Sequence, residues 1–161
     1  MNGLIRKMEL EDLEQVLAID RASFSLPWPE RSFRFEIKEN PAARCWVLEV
    51  SGRIAAMLVL WLIVDEAHIA TLATHPVHRR HGYGRKILLH TLKTAAEEGA
   101  KSAYLEVRAG NVIAQEMYQR LGFVETKRRG GYYKDNGEDA ILMTLDDIHA
   151  EEIRLDAGGK S

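Results

Sequence analysis

Arg79-Arg80-His81-Gly82-Tyr83-Gly84 is the stretch that decides how this chain of 161 residues is read. It follows an apolar run at 68–74 and precedes a helical pattern over 85–98. A strand, a glycine-rich turn and a helix start together make an anion site, because the turn's N–H groups and the helix's first unpaired donors converge. Gly82 and Gly84 permit positive φ and close backbone approach. Arg79, Arg80, Arg85 and Lys86 surround the turn with positive charge. A dinucleotide fingerprint would need a third glycine where Ile87 stands, and a Walker A loop would end Gly-Lys-Ser/Thr. Neither pattern is present. A basic surface turn is the plain alternative at this point.

Outward from the loop, helical and strand-like patterns alternate. Residues 4–8 read as a short strand, and 11–22 carry Leu13, Val16, Leu17 and Ile19 at helical spacing. Phe24-Ser25-Leu26-Pro27-Trp28-Pro29 breaks that helix, and Pro29 suits the first position of the next, which ends before Asn40-Pro41. Residues 44–50 and 53–64 are strand-like runs joined by Ser51-Gly52, a hairpin signal. The helix after the basic loop puts Leu88, Leu92, Ala95 and Ala96 on one face and stops at Gly99. A strand at 102–107 follows. Next comes a helix at 111–121, striped by Ile113, Met117 and Leu121 and capped by Gly122. Strands at 123–129 and 140–145 close the pattern. The order β-α-α-β-β-β-α-β-α-β-β predicts an α/β fold, a mixed and mostly antiparallel sheet of about seven strands with helices on both faces.

Composition narrows the function classes. With 46% hydrophobic and 29% charged residues the chain is ordinary for one soluble globular domain. A formal net charge of -2 argues against nucleic-acid binding through bulk charge. Basic residues instead gather locally at 79–86 and 127–129, which suits a small anionic ligand. Cys45 is the single cysteine, so no internal disulfide is expected and a reducing compartment fits. Cys45-Trp46-Val47-Leu48 reads as strand, which makes Cys45 a packed thiol ahead of a nucleophile. The longest apolar run, 54–64, is too short for a membrane span, and no secretory signal pattern opens the chain. The cytoplasm is the expected location.

Three residues stand out on physical grounds. Glu106 lies between Leu105 and Val107 in a strand, so its carboxylate faces either solvent or a site. Asn111 and Tyr118, seven apart, share a helix face with Ala114 and Gln115 between them, and Tyr118 is either core or ligand-facing. His75, His78 and His81 recur every third residue but flank Pro76 in an irregular loop, without cysteine or acidic partners, so no metal site is expected.

Arg79-x-x-Gly82-x-Gly84 after a strand resembles the pyrophosphate loop of the GNAT superfamily of N-acetyltransferases, which hold acetyl-CoA. Leu105-Glu106-Val107-Arg108-Ala109-Gly110-Asn111 and Met117-Tyr118-Gln119-Arg120-Leu121-Gly122-Phe123 resemble its RimI-like branch. Those bacterial enzymes acetylate the N-terminal amine of a ribosomal protein, and archaeal and eukaryotic N-terminal acetyltransferases are related to them. The resemblance implies a GNAT domain over 1–146, followed by a polar, disordered tail over 147–161. That tail ends Gly158-Gly159-Lys160-Ser161, an imitation of a P-loop without the preceding glycine or a following helix.

The resemblance also implies roles. Glu106 would be the base that takes the amine's proton, and Tyr118 the acid that protonates the departing thiolate. Asn111 would hydrogen-bond the pantetheine arm, and the backbone of Leu72, Ala73 and Thr74 would pair with it beside a β-bulge. Arg79, Arg80, His81, Gly82, Tyr83, Gly84 and Arg85 would hold the pyrophosphate. Phe24, Leu26, Pro27 and Trp28 match one loop beside the amine channel, and Tyr132 and Tyr133 match the other. Phe24 and Trp28 have a second reading as anchors of their loop to the core. Gly110, Gly130 and Gly131 depart from the expected pattern, in loops next to the acceptor.

The expectation is therefore an acetyl-CoA-dependent N-alpha-acetyltransferase acting on a protein N-terminus, that of a ribosomal protein. Transfer is direct in a ternary complex, with no metal, nucleic acid or membrane partner, by a monomer or weak homodimer. Two alternatives remain open: acetylation of a small-molecule amine, and a CoA-binding regulatory module without turnover.

Overall fold

The computed structural model describes residues 3–149. Its elements are β1 (Leu4–Lys7), α1 (Leu13–Ser23), α2 (Glu30–Lys38), β2 (Ala43–Val50), β3 (Arg53–Ile63), β4 (Glu66–Thr74), α3 (Tyr83–Glu97), β5 (Ser102–Arg108), α4 (Val112–Arg120), β6 (Val124–Arg129) and β7 (Ala140–Leu145). Short 3-10 turns at Leu10–Asp12 and Pro76–His78 precede α1 and the basic loop. The strands form one sheet of seven in the order β1-β2-β3-β4-β5-β7-β6. All neighbours are antiparallel except β4 and β5, which run parallel because α3 crosses between them.

Each face of the sheet carries its own core. On one side α3 and α4 bring Ile87, Leu88, Leu92, Tyr118 and Leu121 against Leu58, Leu60, Leu105 and Val107. On the other, α1 and α2 bring Val16, Leu17, Ile19 and Phe33 against Val47, Met57, Val59 and Ala73. Strand β3, with 54–60 buried throughout, is covered on both faces and so reads as an unbroken apolar run. In β5 alternation decides which residues face which core: Ala103, Leu105 and Val107 are buried under α3 and α4, leaving Glu106 and Arg108 on the opposite face.

The predicted order of elements holds, with corrections at their edges. Tyr83 is already helical, so α3 begins two residues earlier than the pattern suggested and Gly84 lies in its first turn. Gly82 alone of the two loop glycines has positive φ, at 79°. Pro29 is the N-cap of α2 rather than its first residue. Ile113, assigned to the apolar stripe of α4, is 73% exposed, because the first turn of that helix overhangs the core that Met117 and Leu121 reach. Ile148, assigned to the tail, is 3% exposed, and its N–H donates to Lys101 O at 2.9 Å, so packing continues past 146. The remainder of the tail from 150, including the P-loop imitation, lies outside the described residues.

Candidate active site

The pairing of β4 with β5 runs from Glu66–Ser102 to Ile69–Leu105 and ends there, although both strands continue. On its other side β4 stays paired to β3, but the register slips: Leu60 faces Ile69 and Val59 faces Thr71, which leaves Ala70 as the extra residue of a bulge. A bulge bends its strand and strengthens the local twist. Residues 71–74 and 106–108 are thus unpaired to each other, and the β5 side of the β4 backbone is left with unmatched ladder groups. Leu72, Ala73 and Thr74 lie along that edge.

The basic loop begins where β4 ends. Gly82 caps α3 in the left-handed region, and the first helical bond runs from Lys86 N to Gly82 O at 3.0 Å. The N–H groups of Tyr83 and Gly84 precede it and have no acceptor within the helix. A Cβ built on Gly84 would meet Thr74 Oγ1 at 3.3 Å, so the loop lies directly against the free end of β4. Arg80 is exposed with a left-handed φ of 69°. Arg79 is instead a tether. Its Nε donates to Thr74 O at 3.1 Å and its Nη2 to Ser23 Oγ at 3.2 Å, tying the loop to β4 and α1. Tyr83 is buried, its ring packed in the α3 core beneath the loop. His81 stacks on that ring at 5.7 Å.

Glu106 is the first residue of β5 beyond the last β4 pair. Its side chain is 26% exposed, and Arg129 Nε lies 3.9 Å from its Oε2. Tyr118 belongs to the opposite core, 7% exposed, and burial pushes its phenol well above the usual range. The gap between β4 and β5 therefore has a carboxylate on one face of the sheet and a protonated phenol in the core beneath the other. Asn111 caps α4, its Oδ1 accepting from Ala114 N at 3.3 Å, and is otherwise exposed.

The sequence profile described as the acetyltransferase (GNAT) family matches residues 13–123. This chain belongs to that family. It is 37% identical over 139 residues to a Bacillus subtilis (strain 168) protein provisionally named a [ribosomal protein bS18]-alanine N-acetyltransferase, covering 86% of this chain and 92% of that one. The crystal structure of the ribosomal-protein-S18-alanine N-acetyltransferase from Escherichia coli superposes with a TM-score of 0.83 at 32% identity, over 92% of this chain and 97% of the other. Arabidopsis thaliana NAA60 in complex with acetyl-CoA shares the fold, with a TM-score of 0.78 at 18% identity over 89% of this chain and 97% of that chain.

The remaining predicted residues of this GNAT chain divide sharply. Trp28 stacks on Trp61 at 6.4 Å and tilts against Phe33 at 5.0 Å, while its backbone N–H donates to Asp20 Oδ2 at 2.7 Å. Phe24 also packs on the α1–α2 core, so both partly buried residues anchor their loop. Leu26 and Pro27 are exposed at the loop's tip. Tyr132 is exposed, and Tyr133 is half-buried with Arg108 over its ring. The sequence motifs assign no role to Arg108, Asp135 or Glu138, although Arg108, two residues from Glu106 in a strand, had to share its face.

Cys45 is half-buried in β2, and burial, then the charge of Glu36, pushes its thiol up to about 12. Among the described residues no group of three or more His, Cys, Asp or Glu is placed to hold a metal ion. No described helix is long and apolar enough to cross a membrane.

Proposed function

We propose that this chain is a cytoplasmic, acetyl-CoA-dependent N-alpha-acetyltransferase whose acceptor is the N-terminal amine of a ribosomal protein. The observation that carries this reading is the gap between residues 71–74 and 106–108, with the capped helix end of α3 at one end and Glu106 at its mouth. The bacterial relatives' names supply the acceptor.

The gap fits a thioester carried on a pantetheine arm. The unmatched β4 edge can pair with the arm's amides as a further strand would, and the N–H groups of Tyr83 and Gly84 suit its pyrophosphate. Arg80 and Arg85 supply charge beside them. The acceptor amine enters on the Glu106 face. Glu106 takes its proton, directly or through water, as the nitrogen attacks the thioester carbonyl carbon. The new N–C bond forms, the C–S bond breaks, and the Tyr118 hydroxyl gives its proton to the leaving sulfur.

One carboxylate is adequate for an α-amine. Its pKa of ~7.7–8.0, against ~10.4 for lysine, means that a neutral α-amine at pH 7 costs roughly 1–1.4 kcal/mol and a neutral lysine roughly 4–5. Coenzyme A release measured over a panel of N-terminal peptides and small amines tests the proposal. Turnover of peptides beginning as bacterial ribosomal proteins do is expected; silence on every peptide with clear turnover of a small amine reverses it.

A further inference from the structure

Arg108 closes β5 two residues beyond Glu106 on the same strand face, and no step of the proposed reaction uses it. Its Nη1 donates to Asp135 Oδ1 and its Nη2 to Asp135 Oδ2, both at 3.1 Å, a two-pronged grip on a carboxylate. Nη1 also reaches Glu138 Oε1, and Nη2 reaches Ser25 Oγ, each at 3.4 Å. The Ser25 hydroxyl itself donates to Asp135 Oδ2. The guanidinium plane lies over the Tyr133 ring, with Cζ 3.9 Å from its centroid. Ser25 belongs to the loop between α1 and α2; Tyr133, Asp135 and Glu138 belong to the loop between β6 and β7. One side chain thus joins the two loops that flank Glu106 to the strand that carries Glu106.

Gly110 completes the junction. Its N–H donates to the Glu138 carboxylate, and a Cβ at 110 would stand 2.5 Å from Glu138 Oε2. The departure from the family pattern at Gly110 makes room for that carboxylate. The ionic groups are partly shielded, with side-chain exposures of 24% for Arg108, 21% for Asp135 and 22% for Glu138. A network of this kind outweighs an isolated open ion pair. It uses the guanidinium's face and its edges together, which a lysine ammonium cannot reproduce.

We infer that Arg108 is a positioning residue that fastens both loops into a single acceptor gate over Glu106. The inference rests on the proposed acceptor. Ordering the two loops before the acceptor arrives removes an entropic cost from binding, so the gate acts on acceptor affinity and not on acetyl-CoA.

The test compares wild type with Arg108→Ala, Arg108→Lys and Gly110→Ala, using an N-terminal peptide that the wild type acetylates. Arg108→Ala is expected to raise the peptide KM by about tenfold or more, the loss of a charge-assisted contact, while the acetyl-CoA Kd stays within about twofold. Arg108→Lys is expected not to restore the KM, and Gly110→Ala to raise it in the same direction. Amide hydrogen exchange over 130–139 is expected to quicken in Arg108→Ala. A lowered Tm with unchanged peptide KM and unchanged exchange in that loop would show a merely structural arginine and overturn the gate. A wild type that acetylates no peptide counts against the proposed acceptor instead, and loop exchange then decides the gate by itself.

Discussion

Ile69 and Leu105 form the last pair between β4 and β5, and Glu106 is the first residue of β5 beyond that pair. Past that pair the strands part, and strand alternation sends Glu106 to one face while Leu105 and Val107 stay in the core that holds Tyr118. The carboxylate and the phenol therefore lie on opposite sides of the sheet. In the proposed reaction, proton removal and proton delivery would be kept apart by the strand itself.

Glu106→Gln is expected to lower kcat on the order of 10²-fold at neutral pH, the scale of a lost general base. Activity should recover partly toward pH 9, where solvent deprotonates the acceptor amine. Tyr118→Phe should lose a similar factor without that recovery, since its proton goes to sulfur. Acetyl-CoA affinity should hardly change in either. Wild-type kcat in both variants across pH 6 to 9 would remove both residues from the mechanism.

Gly84→Val should nearly abolish coenzyme A binding while the fold persists. Its Cβ would already touch Thr74 Oγ1 at 3.3 Å, and two further methyls would fill the junction of loop and β4. Calorimetric titration alongside circular dichroism checks this. Normal binding by a folded variant would show that the loop is not where the cofactor lies.

Cys45 should be a bystander. Its thiol is pushed up to about 12 by burial first and the Glu36 charge second, so it stays protonated where an unfolded chain's thiol, near ~8.5, has begun to ionise. Any stability this contributes is complete below ~8.5 and fades as pH climbs toward the folded value. At pH 8.5 native protein should react with iodoacetamide at least about 10²-fold more slowly than the unfolded chain, because only thiolate attacks. Labelled acetyl-CoA without acceptor should leave no stable acetyl group on Cys45; finding one would end the direct-transfer reading.

Val64 is 92% exposed at the β3–β4 turn with a φ of 57°, a left-handed conformation that a β-branched side chain strains to adopt. Val64→Asn, which tolerates that region, should gain about 1 kcal/mol and raise Tm by about 2–4 °C. Activity should be unaffected. A lower Tm in thermal unfolding would show that the valine is held there by something other than turn geometry.

The order of elements and the loop at Gly82 were legible in the sequence because they depend on local physics. Apolar period, hairpin signals at Ser51-Gly52 and helix stops at Gly99 and Gly122 act over a few residues. Glu106 stood out for the same reason, as a charge between two apolar strand neighbours. Tertiary structure decided what depends on partners distant in the chain. The register slip at Ala70 and the early end of the Ile69–Leu105 ladder open the gap, and neither has a mark in either strand alone. Trp28 became an anchor because Trp61 and Asp20 were there to meet it, and Arg79 turned to Thr74 and Ser23. Arg108 meets Ser25 and Asp135 across separations of 83 and 27 residues. No local pattern encodes such a meeting, because which carboxylate a guanidinium finds is fixed only when folding brings the two loops to one end of the sheet.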